Sequence, residues 1–165
     1  MLIVQDTREQ KPLDFSAIPA RPKVVVATLA TGDYSIQGME SVVCLERKSI
    51  ADLVDTLVRD LSKQHKGTVG RFAKELERMR AYKYAAIVVE GTRRDIFQHR
   101  YVSKVPPRMI EAMIDFIWVG SGIPTFWCDD AEITAECVYS ILKQVYKKET
   151  TCAKSSATTD NTEKS

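Results

Sequence analysis

GDYSIQGMESVVCLERKSIAD, residues 32–52, packs a turn, two strands and the start of a helix into one short stretch. Thr31, Gly32, Asp33 and Tyr34 read as a turn leading into a strand over residues 34–37. Gly38, Met39 and Glu40 read as a hairpin turn, with glycine supplying a backbone conformation that other residues resist. Residues 41–47 are the return strand. Ser49 then opens a helix in which Ile50, Leu53, Val54, Leu57 and Leu61 recur at helical spacing. Side chains alternate along a strand, so Cys44, Glu46 and Lys48 share one face while Val43, Leu45 and Arg47 share the other. Pairing in the hairpin brings Asp33 back toward Glu46 and Lys48, which gathers two acids and an amine on one surface.

Two carboxylates with a backbone carbonyl make a hard oxygen site for Mg²⁺, which keeps several waters and takes phosphate oxygens. A cation held there polarises a phosphodiester and helps generate hydroxide, and a neighbouring lysine orients water or stabilises developing charge. A bland alternative exists, because Glu and Lys two apart are common as a solvated surface pair. The apolar run Val42, Val43, Cys44, Leu45 argues against it. Charge that follows such a run lies at the edge of a core, where desolvation is costly and partners are required.

Outward from this stretch, strands and helices alternate. Residues 2–4 and 23–29 are apolar, β-branched strands, and residues 85–89 (AAIVV) are a strand apolar enough to be buried on both faces. Residues 65–68, with Gly67, break the first helix, and a second follows through Phe72, Leu76 and Met79. A polar stretch spans residues 91–105. Pro106 and Pro107 start a helix through Ile110, Met113, Ile114, Ile117 and Trp118, which Gly120 and Gly122 end. Residues 123–127 form a last strand. Asp129 or Asp130 caps a final helix carrying Ile133, Cys137, Val138, Ile141, Leu142 and Val145. The order predicts an α/β fold: a mixed central sheet with helices on both faces.

The 165 residues suit one domain. Residues 1–148 form it, and residues 149–165, polar and poor in large apolar side chains, are expected to be a disordered tail. With 24 Lys and Arg against 22 Asp and Glu, the chain is not a polybasic tail protein, although a basic face can sit opposite an acidic one. Cys44, Cys128, Cys137 and Cys152 follow no zinc-site spacing and read as free thiols of a reducing compartment. With no signal peptide or membrane span in the sequence, the expected location is the cytoplasm, or the nucleoid or nucleus.

Gly32-Asp33-Tyr34 followed by Glu46-Arg47-Lys48, three residues and Asp52 resembles the signature of the XPF-type structure-selective endonucleases. Val4, Asp6, Arg8 and Glu9 resemble that family's V-x-D-x-R-E segment. Arg71-Phe72 with Glu75-Leu76, then residues 87–91 (IVVEG), resemble its RF-x-x-EL helix and the next strand. The resemblance runs in order over residues 2–148. It implies a restriction-endonuclease-like α/β/α core of the PD-(D/E)xK kind. It implies Asp33 and Glu46 as metal-binding carboxylates, Lys48 as the catalytic lysine and Asp6 as a further acid near the metal. Arg8 and Arg47 match arginines of the active surface that bind phosphate or hold carboxylates. Asp52 matches the last motif acid, and it equally suits a capping box with Ser49.

The resemblance implies a Mg²⁺-dependent endodeoxyribonuclease, with Mn²⁺ able to substitute, acting on branched, flap or junction DNA in repair, recombination or replication. The competing readings are a non-catalytic DNA-binding or scaffold subunit that partners an active nuclease, and a sequence-specific restriction enzyme on the same core. Many relatives add helix-hairpin-helix motifs or a helicase, for which this sequence has no room, so DNA affinity is expected from this domain or from a partner chain. Phosphate contacts need Lys and Arg. Two groups offer them: Arg59, Lys63, Lys66 and Arg71, then Arg93, Arg94, Arg100, Lys104 and Arg108, with Tyr101 placed to stack on a base or sugar. The family dimerises through this domain, which implies a homodimer or heterodimer. The final helix could contribute Val138, Ile141, Leu142 and Val145 to that interface or bury them in its own core.

Overall fold

The computed structural model describes residues 1–64 and 68–159. The elements are β1 (Leu2–Asp6), β2 (Lys23–Ala27), β3 (Tyr34–Ile36), β4 (Val43–Ser49), α1 (Ile50–Gln64), α2 (Arg71–Met79), β5 (Tyr84–Glu90), α3 (Arg93–Phe97), α4 (Pro107–Ser121), β6 (Thr125–Cys128) and α5 (Ala131–Thr159). The six strands form one mixed sheet in the order β2-β1-β3-β4-β5-β6. β3 runs antiparallel to β1 and to β4, while β4, β5 and β6 are parallel to one another. Gly38, in the β3–β4 turn, has φ +81°, a left-handed conformation that glycine adopts without strain.

Alternation along the central strands builds two cores. Val43 and Leu45 of β4, with Ala86 and Val88 of β5, pack on one face under Val138, Leu142 and Val145 of α5 and under Leu13, Phe15 and Ile18. Cys44 of β4, with Ile87 and Val89 of β5, packs on the other under Leu53, Val54, Phe72, Met79, Ile96, Ile110 and Ile114. This is the expected α/β/α layering, and it is why the β5 sequence is apolar at every central position. Val138, Leu142 and Val145 are therefore buried inside the chain and give no free interface. No helix among the described residues is long and apolar enough to cross a membrane.

Several boundaries differ from the sequence reading. β2 stops at Ala27 because the next segment turns inward, and the Leu29 amide donates to Asp6 Oδ2 at 2.6 Å. The polar stretch 91–105 contains α3, started by a capping box in which Thr92 and Asp95 exchange hydrogen bonds. The tail expected from residue 149 is helical as far as Thr159. Glu149 anchors that continuation: its carboxylate accepts from Lys83 Nζ at 2.8 Å and from the Tyr84 hydroxyl at 2.8 Å. Residues 160–165 lie outside the described residues, as do residues 65–67 of the helix break expected at 65–68. Asp130, rather than Asp129, caps α5 by accepting from the Ile133 amide at 2.9 Å.

Candidate active site

The β1–β3–β4 ladder aims Asp33. Its amide donates to the Leu45 carbonyl at 2.8 Å, and its carbonyl accepts from the Asp6 amide at 2.8 Å. Gly32 has φ +81°, and a methyl group there would run into Cys44 Sγ and the Leu45 carbonyl. Glycine thus lets the chain turn against β4 and deliver Asp33 to it. Tyr34 points into the core below, where its hydroxyl accepts from the Leu13 amide at 2.9 Å and ties down the segment after β1. Each residue of the Gly32-Asp33-Tyr34 motif has its own mechanical task.

The hairpin does bring the three expected residues together. Asp33 Oδ2 accepts from the Arg47 amide at 2.8 Å. Lys48 Nζ donates to Glu46 Oε1 at 2.8 Å. Burial, then the field of Asp33, pushes the Glu46 carboxyl up to about 8, and burial pushes Asp33 up to about 6 against the pull of the Arg47 amide. Burial works against the Lys48 ammonium, but Glu46 and Glu75 outweigh it and hold its pKa above the ordinary value. More negative charge is gathered here than one ammonium neutralises, an arrangement that could hold a divalent cation. Among the described residues no three His, Cys, Asp or Glu side chains form a complete metal centre. Asp33 and Glu46 suit Mg²⁺, which takes one or two carboxylates and fills its other positions with water and phosphate oxygens.

Asp6 is placed differently from the expectation. It is buried, and both its oxygens are taken. Oδ1 accepts from the Arg8 amide at 2.8 Å and from Arg8 Nε at 2.6 Å. Oδ2 accepts from Arg8 Nη2 at 3.1 Å and from the Leu29 amide at 2.6 Å. These bonds make Asp6 an anchor for Arg8 and the segment after β2, with no oxygen left over for a cation. Arg8, with a side chain 64% exposed, stays at the surface within the field of Asp33 and Glu46. Arg47 is turned inward. It pairs with Glu90 through Nη2, lies 3.6 Å from Glu9 and donates to the Lys11 carbonyl at 3.0 Å. Of its two implied roles, phosphate binding or holding carboxylates, its contacts fit the second. Asp52 donates its amide to Ser49 Oγ at 3.1 Å and takes the Ser49 hydroxyl at 2.7 Å, so it serves the start of α1.

The basic residues divide. Arg93 pairs with Glu111 and, at 2.8 Å, with Asp115, which ties α3 to α4. Arg100 pairs with Asp95 at 3.0 Å. Arg93 is engaged within the fold, whereas the Arg100 side chain remains 63% exposed. Arg71, Arg94 and Lys104 are exposed and form no ion pair among the described residues. Lys66 lies outside the described residues. The Tyr101 hydroxyl donates to the Val105 carbonyl at 2.8 Å and its ring stacks on His99 at 4.4 Å, so its hydroxyl is fastened within the loop.

Sequence reasoning quoted Glu9, Phe72, Glu75 and Glu90 as motif matches and gave none of them a role in the site. Glu9 and Glu90 hold Arg47. Glu75 lies 3.8 Å from Lys48 Nζ, and the Phe72 ring centroid is 5.2 Å from the same nitrogen. The signal for the last two was their spacing: residues three apart on a helix share a face.

A mixed sheet between helical layers, with an acid–acid–lysine cluster gathered by β4 and the turn before β3, defines the α/β domain and its candidate site. The chain belongs to the ERCC4 domain family, whose pattern matches residues 5–141. No curated protein matches it. Among solved structures it is similar to XPF from Aeropyrum pernix, with a TM-score of 0.66 and 19% identity over 93% of this chain and 69% of that one. It is also similar to XPF from Aeropyrum pernix in complex with DNA, with a TM-score of 0.64 and 22% identity over 89% of this chain and 66% of that one. At this identity the likeness is one of fold, and it agrees with the restriction-endonuclease-like architecture expected from the sequence.

Proposed function

We propose that the chain is a metal-dependent DNA endonuclease that hydrolyses phosphodiester bonds at branched, flap or junction DNA. The observation that carries this is the pairing of Lys48 with Glu46 at 2.8 Å beside an Asp33 oriented by the Arg47 amide. Asp33 and Glu46 would hold Mg²⁺, or Mn²⁺ in its place. Such a cation, when bound, supplies Lewis acidity and lowers the pKa of water. Lys48 keeps an ammonium next to Glu46, where it orients the attacking water and offsets charge growing on the phosphate. Arg8 presents an exposed guanidinium at the same surface and fits a phosphate neighbouring the scissile one. Arg71, Arg94 and Lys104, exposed and in no ion pair among the described residues, would hold the DNA backbone.

Dimerisation through this domain belongs to the same proposal. Phe116 and Val119, three residues apart on α4, are 70% and 74% exposed, and they offer an apolar surface for a second chain. A partner chain there could also add DNA affinity. Labelled flap, fork, four-way and linear duplex DNA, incubated with Mg²⁺, Mn²⁺ or chelator, test the reading. Metal-dependent cleavage of branched DNA that disappears in Asp33→Ala and Lys48→Ala supports it. DNA binding without cleavage under every condition would favour the non-catalytic subunit instead, and cutting of linear duplex at one fixed sequence would favour a restriction enzyme.

A further inference from the structure

We propose that Glu75 and Phe72, on one face of α2, cradle the Lys48 ammonium, and that Glu75 is a positioning residue for strand cleavage; the second half rests on the nuclease reading above. Three groups among the described residues approach the Lys48 ammonium in an ion pair or over a ring. Glu46, on the same strand, is 2.8 Å away; Glu75 is 3.8 Å away; the Phe72 ring centroid lies 5.2 Å off. The last two come from a separate element and approach the amine from the side of α2. Lys48 is the only ion-pair partner of Glu75 among the described residues. Glu77, two residues on, pairs instead with Arg80.

The cradle is firmly mounted. Phe72 is buried, 3% exposed, in the core beneath α1, α2 and α4. The Ala73 amide donates to Asp60 Oδ2 at 2.8 Å, which fastens the first turn of α2 to α1. Glu46, by contrast, has two tasks: it bonds Lys48, and it would bind the cation. A carboxylate that gives its charge to a cation holds an ammonium less strongly. Lysine carries its charge on a flexible four-carbon stem. Without a second partner that charge would swing away when it is needed. Glu75 supplies the second anion and Phe72 an electron-rich face for the cation.

Two measurements test this. Acetylation of Lys48 by acetic anhydride, followed by mass spectrometry on metal-free protein, reads the cradle without turnover. Glu75→Gln and Phe72→Leu should each label Lys48 several-fold faster than wild type, whereas the helix control Glu77→Gln should not. Single-turnover cleavage of branched DNA reads the reaction. Glu75→Gln should slow it about 10- to 100-fold, as loss of an outer partner does, while the DNA Kd stays within about twofold. Unchanged Lys48 labelling in both folded variants overturns the cradle. A weakened Kd with an unchanged rate overturns the positioning role. If the wild type cleaves no DNA, the nuclease reading and the positioning role fall with it, and the labelling result still decides whether the cradle exists.

Discussion

Asp6→Ala should cost stability and spare cation binding, opposite to what a metal ligand would do. The substitution strands the Leu29 amide, which donates to Asp6 Oδ2 at 2.6 Å in the interior. A buried donor left unpaired costs roughly 1–3 kcal/mol. The Arg8 pair adds little, because the Arg8 side chain is 64% exposed and its charge is screened by solvent, leaving about 0–1 kcal/mol. A net loss of about 2 kcal/mol lowers Tm by roughly 4–8 °C for a chain of this size. The pH dependence has a definite sign. Burial alone would raise the Asp6 carboxyl, but the Arg8 side chain and the Leu29 and Arg8 amides outweigh it and hold it below the ordinary value. A depressed native pKa gives stability that is fully present above the unfolded pKa, about 3.9, and is lost as pH falls through the folded value. The gap in Tm between wild type and variant is therefore widest near neutrality and closes in acid. Thermal unfolding by circular dichroism across that range, with Mn²⁺ titration calorimetry on both proteins, makes the measurement. An unchanged Tm at neutral pH together with a lost Mn²⁺ affinity would refute the reasoning and return Asp6 to the metal.

Gly32→Ala forces a side chain onto φ +81° and against Cys44 Sγ, so it should destabilise by about 1–3 kcal/mol, measured as a shift of the urea midpoint. Thr92→Ala removes the cap of α3 and should cost about 1 kcal/mol, with faster amide exchange confined to α3 and the loop after it. Arg71→Ala, Arg94→Ala and Lys104→Ala should each reduce the slope of log Kd for duplex DNA against log salt by about 0.9, whereas Arg93→Ala should leave the slope and lower Tm.

Much of this was legible in the sequence because the signals are local. Alternation along residues 43–48 put Val43 and Leu45 on one face and Cys44, ahead of Glu46 and Lys48, on the other, and each face has its core. The spacing of Asp33 from Glu46 was readable as a hairpin because Gly32 and Gly38 mark its bends. What escaped depends on partners distant in sequence. Residues after 148 look unable to fold alone, yet Glu149 finds Lys83 and Tyr84, and the helix continues. Arg93 looked like a free cation until α4 supplied Glu111 and Asp115. Asp6 matched a motif of acids, but a motif names the residue and not what its oxygens touch. α3 is five residues long with one buried side chain, Ile96, too little for a periodic pattern to reveal.

The most direct test of the whole account is the single-turnover rate at which branched DNA is cut in Mg²⁺ by wild type and by Glu46→Gln. The substitution keeps the shape of the side chain and removes the charge that Lys48 and a cation would share. The account gives cleavage by the wild type and none above background in the variant, with DNA still bound. Equal rates in the two proteins would contradict it.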